Sequence, residues 1–321
     1  MRGFILEVND LRTFIHTPRG VVRAVDGVSL QLETGRTLAI VGESGCGKTM
    51  TALSILRLLP PGGRIEGGKI LYKGKDLVSL SEEGMQALRG REIAMIFQEP
   101  SVALNPVFTV GEQVSEALRL HHDLTKKEAR ERAVELLKVV GIPEPHIRYR
   151  SYPHQLSGGM KQRVVIAMAL AGNPSLLIAD EPTTALDVSI QAQILDLLLQ
   201  LKEERGLSLI LITHNLGIVA SCADEIAVMY LGKVIEYGPT GEIIRDPFHP
   251  YTRGLLASVP RNPLEPIESI PGSIPSAFDK IDGCPFHPRC QESVDICHRS
   301  PPPFLPSEGR WVRCWLYAEA N

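Results

Sequence analysis

An α/β fold with a smaller carboxyl-terminal extension is predicted, and three observations predict it. Short apolar runs alternate with stretches of helical period, the pattern of strands and helices assembled on a largely parallel sheet. A glycine-rich turn ending in Lys-Thr stands between one such run and the helix after it. Past residue 240 the composition shifts. Of the 24 prolines, 13 lie beyond Gly241, and four of the six cysteines and both tryptophans lie in the last 38 residues.

Residues 37–41 (TLAIV) form a short apolar run ending at glycine, so a buried strand. Residues 49–59 are helical, with Leu53, Leu56 and Leu59 at spacings of three. Residues 93–97 (IAMIF) are a second strand. Residues 126–140 form an amphipathic helix carrying Ala129, Ala133, Leu136, Leu137 and Val140 on one face. Residues 158–171 form another helix, ended by Gly172-Asn173-Pro174. A strand at 176–179, a helix at 189–204 and a strand at 207–213 complete the alternation. The stretch from about 100 to 172 reads as an inserted helical lobe. The boundary of the extension falls near residue 258, and the segment beyond it is too rich in proline to pack a core without a staple.

Composition narrows the function. The chain has 321 residues, 34 Lys+Arg against 37 Asp+Glu, and a net charge of −3. That balance argues against a general nucleic-acid binder, which needs surplus cations to neutralise phosphates. The apolar runs are far shorter than the ~20 residues that span a bilayer. Glu7 and Asp10 interrupt the segment where a secretion signal would stay apolar. The expectation is a cytosolic protein that meets the membrane through partners.

Gly42-Glu43-Ser44-Gly45-Cys46-Gly47-Lys48-Thr49 fits the phosphate-binding loop G-x-x-x-x-G-K-[ST] in the strand-to-helix context that motif requires. Its glycines let backbone N–H groups turn toward phosphates, and the helix start adds its positive dipole end. Lys48 is expected to reach the β/γ-phosphates, and the Thr49 hydroxyl to ligate Mg²⁺. Cys46 sits at a variable position of the loop. Asp180 ends the run LLIAD, where a buried carboxylate is costly unless compensated. The Mg²⁺ shell would compensate it. Glu181 comes directly after and is the candidate general base for the attacking water.

Leu156-Ser157-Gly158-Gly159-Met160 opens a helix 20 residues or so before Asp180. With the two sites above, it resembles the LSGGQ signature of ABC transporter ATP-binding subunits, with Met160 in place of Gln. Gln98 after IAMIF looks like that family's Q-loop, Ala185-Leu186-Asp187 like its D-loop, and His214 after LSLILIT like its switch histidine. The resemblance implies a P-loop ABC-type ATPase domain over residues 1–258, with a mixed sheet, an N-terminal antiparallel β subdomain and the helical lobe. It also implies that ATP is clamped between Lys48 of one subunit and Ser157, Gly158 and Gly159 of another. Gly42 to Thr49, Met50 and Gln98 would bind the nucleotide, and Thr49, Gln98 and Asp180 would hold Mg²⁺. Glu181, His214 and Lys48 would be catalytic, and Phe14 would stack on adenine. His214 has a second reading, as a polar cap of the next helix.

Tyr152-Pro153-His154-Gln155, IADEPTTALDVSIQAQIL and Phe248-His249-Pro250-Tyr251-Thr252-Arg253-Gly254 resemble the dipeptide/oligopeptide importer branch, closer to its D-type than its F-type subunit. The resemblance implies two transmembrane permease subunits, a paralogous F-type ATPase or a second copy of this chain, and an extracytoplasmic peptide-binding protein upstream. The chain would sit at the cytoplasmic face of the membrane. Nickel and glutathione importers share the branch. The rival readings are a soluble ABC ATPase acting on DNA or ribosomes, and a non-hydrolytic metal-sensing module.

Cys284, Cys290, Cys297 and Cys314 are separated by 5, 6 and 16 residues. Zinc sites favour closer Cys pairs, whereas wider spacings suit a [4Fe–4S] cluster with one thiolate per iron. The family resemblance points the same way. His287 and His298 keep zinc as one alternative, and free thiols are the other. Phe286, Trp311 and Trp315 are expected to shield the centre.

Overall fold

The computed structural model describes residues 3–184, 186–259, 270–276, 278–279, 281–307 and 309–318. Ala185, in the expected D-loop, and residues 260–269, at the start of the extension, lie outside the described residues. The chain divides into two compact units, residues 1–79 with 212–321, and residues 80–211.

Along the chain, β1 (Phe4–Thr17) and β2 (Gly20–Glu33) pair as an antiparallel hairpin running from Thr17↔Gly20 to Phe4↔Glu33. Leu6, Val8, Leu11, Val25, Val28, Leu30 and Leu32 are buried along it, the near-alternation expected of a half-buried sheet. β3 (Thr37–Val41) is buried at every residue. The helix α1 (Lys48–Leu56) stops three residues short of the expected end, because Arg57 turns left-handed at φ 52. β4 (Gly63–Tyr72) pairs with β1, and the short β5 (Lys75–Asp76) with β4.

Next along the chain are α2 (Glu82–Leu88), β6 (Ile93–Ile96), α3 (Pro100–Ala103), α4 (Val110–His121), α5 (Lys126–Val139), α6 (Pro145–Arg148) and α7 (Gly158–Leu170). Then come β7 (Leu176–Asp180), α8 (Val188–Arg205) and β8 (Ser208–Thr213). The chain closes with α9 (Leu216–Cys222), β9 (Glu225–Tyr230), β10 (Lys233–Pro239), α10 (Thr240–Arg245), α11 (Pro250–Ala257), β11 (Leu305–Ser307) and β12 (Arg310–Val312).

In the second unit, β6 and β7 run parallel, from Ile93↔Leu176 to Ile96↔Ala179. The lobe is helical as expected. Two of its helices start at reciprocal capping boxes. Thr109 accepts from Glu112 N–H while Glu112 accepts from Thr109 N–H, and Thr125 and Glu128 repeat the arrangement. Each box gives partners to backbone N–H groups that a helix start leaves without an intrahelical acceptor.

In the first unit, β3 and β9 are parallel, while β9–β10, β10–β12 and β11–β12 are antiparallel. This mixed set fits the fold the resemblance implied. The antiparallel β1–β2–β4–β5 sheet docks on it through Lys233, whose Nζ donates to Asp26 Oδ2 at 2.7 Å, and through the Tyr237 hydroxyl, which donates to Gln31 O. The extension joins the same unit. Its strand β12 covers the β10 edge, at Glu236↔Val312 and Tyr237↔Trp311, and a covered edge is protected from pairing with other chains. Cys284, Phe286 and Cys297 share one apolar core with Ala39 and Val41 of β3 and Val228 and Tyr230 of β9. The rings of Tyr230, Tyr251 and Phe286 meet at centroid distances of 4.8–5.3 Å, each pair contributing about 0.5–1.5 kcal/mol beyond its buried area.

Candidate nucleotide-binding site

The phosphate loop leaves the C-terminal end of β3 and enters α1. Gly42 has φ 150 and Gly47 φ 106. A Cβ on Gly42 would lie 2.3 Å from Met229 O, and one on Gly47 would lie 2.3 Å from Ala24 O. Backbone presses on both glycines, so neither admits a side chain. Lys48 is 5% exposed, and its Nζ donates to Gly42 O at 2.8 Å and Glu43 O at 3.0 Å. The ammonium therefore lies folded over the loop's own carbonyls. Ser44, Gly45 and Thr49 are exposed, and Met50 is half-buried behind them. Cys46 is buried beneath the loop, and burial raises its thiol pKa, so it is a packing group there.

In the second unit, β7 ends with the buried Asp180. Glu181 comes next with φ 45, a conformation that costs energy in a residue with a side chain and concentrates at functional sites. Its Oε2 accepts from Gln98 Nε2 at 3.2 Å and from Thr184 Oγ1 at 2.9 Å. Gln98 and the acid after the strand are thus joined directly. Ser157 caps α7, its hydroxyl accepting from Met160 N–H. Ser157 and Gly158 are exposed at that helix start. A Cβ on Gly159 would meet the Ile190 side chain of α8 at 2.8 Å, so the small residue permits that close packing.

His214 is exposed after β8. The cap of α9 is Asn215, whose Oδ1 accepts from Gly217 and Ile218 N–H. The capping role that competed for His214 is therefore filled by its neighbour. Phe14 is half-buried on β1, with the Arg23 guanidinium 5.6 Å from its ring centroid.

The profile of the ABC transporter family matches residues 25–184, and that of the oligopeptide/dipeptide transporter C-terminal region matches residues 235–297. The Bacillus subtilis dipeptide transport ATP-binding protein DppD is 51% identical over 97% of this chain and 94% of its own length. The oligopeptide transport ATP-binding protein AppD of the same organism is 48% identical over 98% and 97%.

The chain belongs to the ABC transporter family.

It is an ATP-hydrolysing transporter subunit, and its fold agrees with solved ABC cassettes. The ATP-binding cassette MJ0796, in a dimeric state bound to ADP and Pi, is similar at TM-score 0.66 and 28% identity, over 73% of this chain and 98% of that one. The cbiO1 protein of Clostridium perfringens is similar at TM-score 0.65 and 31% identity, over 76% and 91%. Among the described residues, no helix is long and apolar enough to cross a membrane.

Two residues of this ABC subunit escaped the sequence reading. Tyr251, in the recognised FHPYTRG segment, accepts at its hydroxyl from Glu43 N–H at 2.9 Å. Arg289, in the extension, binds both carboxylate oxygens of Glu43, at 2.7 and 3.0 Å. An isolated arginine in a proline-rich tail carries no sequence signal of such a contact.

The iron–sulfur expectation gains no support from the placement of the tail cysteines. Cys284, Cys297 and Cys314 are buried and Cys290 half-buried. Among the described residues, no group of three or more His, Cys, Asp or Glu is arranged to hold a metal ion. The zinc alternative therefore lacks the closed ligand set that one ion needs. Burial pushes the Cys284 and Cys314 thiols up to about 11 and about 12, with the neighbouring cysteines adding to the rise. His287 and His298 face each other, ring centroids 4.5 Å apart. Phe286 is buried and Trp315 packs on the same core, but Trp311 is 42% exposed, its ring tilted against Phe304 at a centroid distance of 5.5 Å.

Proposed function

We propose that this subunit energises the uptake of di- and oligopeptides by hydrolysing ATP at the cytoplasmic face of the membrane. What carries the reading is resemblance over the whole chain, extension included, to proteins named for dipeptide and oligopeptide transport. Nickel and glutathione importers and soluble ABC ATPases are disfavoured by it.

In this reading, Gly42 to Met50 cradle the phosphates, and Lys48 leaves its loop carbonyls for the β/γ-phosphates. Thr49, Gln98 and Asp180 would hold Mg²⁺, which would draw charge off the phosphoryl oxygens. The burial of Asp180 at a strand end supports that role. Glu181 takes the proton of the attacking water, and His214 contacts the γ-phosphate. Ser157, Gly158 and Gly159 complete the site of a second subunit, either another copy or an F-type paralogue. The exposure of that helix start supports the assignment, because its N–H groups can meet an anion from outside. Phe14 serves as the adenine platform once Arg23 yields its face.

Two permease subunits would dock beside Gln98, fed by an extracytoplasmic peptide-binding protein. Val102, Val107 and Phe108 are 79%, 69% and 50% exposed there, an apolar surface suited to a partner's helix. Affinity purification from membranes should recover two polytopic subunits and a second ATP-binding chain. Recovery of ribosomes or DNA without membrane proteins would refute the reading.

The finer assignment for the extension is a [4Fe–4S] cluster on Cys284, Cys290, Cys297 and Cys314. It rests on the four-cysteine spacing and on the match of the extension to the oligopeptide/dipeptide transporter C-terminal region. A cluster spreads its thiolates over separate irons, so it does not require convergence on one point. Anaerobically purified protein should contain about four irons and four sulfides per chain. Stoichiometric zinc, or no metal, would remove the cluster.

A further inference from the structure

Glu43 and Arg289 are 246 residues apart, yet they form a two-pronged ion pair. We propose that the carboxyl-terminal extension positions the phosphate loop through Arg289, which orients Glu43 and cancels its charge beside the bound nucleotide. The inference rests on the loop being the nucleotide site.

The arginine is held rigidly. Its side chain is 4% exposed. Nε donates to Pro271 O at 2.9 Å, and the guanidinium lies 5.9 Å from the Tyr230 ring centroid. With Nε fixed, the remaining edge of the fork presents two parallel donors, the geometry that matches a carboxylate. Glu43 is gripped a second time at its backbone, where its N–H donates to the Tyr251 hydroxyl. Its carbonyl in turn accepts from Lys48. Side chain, amide and carbonyl of one loop residue are therefore tied to the extension, to α11 and to the phosphate-seeking lysine respectively. A shift of Glu43 moves the acceptor on which Lys48 rests.

Charge gives the contact a second effect. A carboxylate one residue into a phosphate loop opposes an incoming anion. Paired on both oxygens, it presents almost no net charge to the nucleotide. Anchoring the extension does not require this pair, because β12 already closes the β10 edge and Phe286 already packs between Tyr230 and Tyr251. Loss of Arg289 should therefore spare the fold and expose the carboxylate.

MgADP affinity of the full chain, measured by equilibrium dialysis, tests this without turnover. Arg289→Ala should weaken binding by about tenfold at low salt and less at high salt, since a partly exposed charge is screened. Arg289→Lys should recover part of the loss. Adding Glu43→Gln to Arg289→Ala should restore affinity at least threefold, because the uncompensated charge is then gone. An Arg289→Ala loss that persists undiminished in the double variant, or unchanged affinity in Arg289→Ala while Lys48→Ala loses binding, would overturn the inference alone. Unchanged affinity in Lys48→Ala would remove the nucleotide site and this inference with it.

Discussion

Glu181→Gln should lower ATP turnover by about 10²–10⁴-fold, the range of general-base contributions, and leave MgATP bound. The amide has the shape of the carboxylate, so the left-handed backbone at Glu181 is not disturbed. Its oxygen still accepts from Gln98 and Thr184, the two donors that aim the native carboxylate. What the amide lacks is basicity. The proton of the attacking water then has no acceptor at that position, and kcat falls while KM holds. An interaction made in the transition state alone lowers kcat in that way. Single-turnover hydrolysis and nucleotide retention, measured on the same sample, check both halves of the expectation. Near-normal turnover would end the base assignment.

Lys48→Ala should weaken nucleotide binding by roughly ten- to a hundred-fold, the equivalent of about 1.5–3 kcal/mol for a hydrogen bond to a charged group. The lysine is buried and its ammonium is spent on Gly42 O and Glu43 O. Phosphate oxygens offer it a charged partner in exchange for two neutral ones, so the gain on binding is electrostatic. The loop is anchored independently of the lysine, by Gly232 N–H donating to Cys46 O and by Glu43 N–H donating to the Tyr251 hydroxyl, so it should keep its path in the variant. Equilibrium binding of ATP separates this loss from any loss of catalysis, and undiminished affinity would count against the loop. The two substitutions divide the labour: one should remove binding, the other chemistry.

Much of the candidate site was legible because it is local. The loop 42–49, the acids 180 and 181, and the Ser-Gly-Gly start of α7 are each contiguous, and each lies at the end of a strand or the start of a helix. The apolar run of β3 and the helical period of α5 place such ends to within a residue or two. The sequence was less informative about α1, which stops at Arg57 although Leu59 continues the spacing. The leucine pattern records which faces are apolar, and spacing alone does not reveal the left-handed turn that ends the helix. His214 and Asn215 show the same limit. Both are polar residues at a helix entry, and the hydrogen bonds alone tell which one caps.

By itself, the sequence determined the ATPase motifs, the alternation of strands and helices, and the family to which the chain belongs. All of these are written in neighbouring residues, where spacing reports backbone geometry directly. Tertiary structure decided that the extension is part of the first unit: β12 completes the sheet edge, Cys284 and Cys297 enter the core behind the phosphate loop, and Arg289 takes hold of Glu43. Pairings between distant parts of the chain leave no periodic trace. They exist because a buried guanidinium and an unfilled sheet edge each need a partner, and folding brings one within reach.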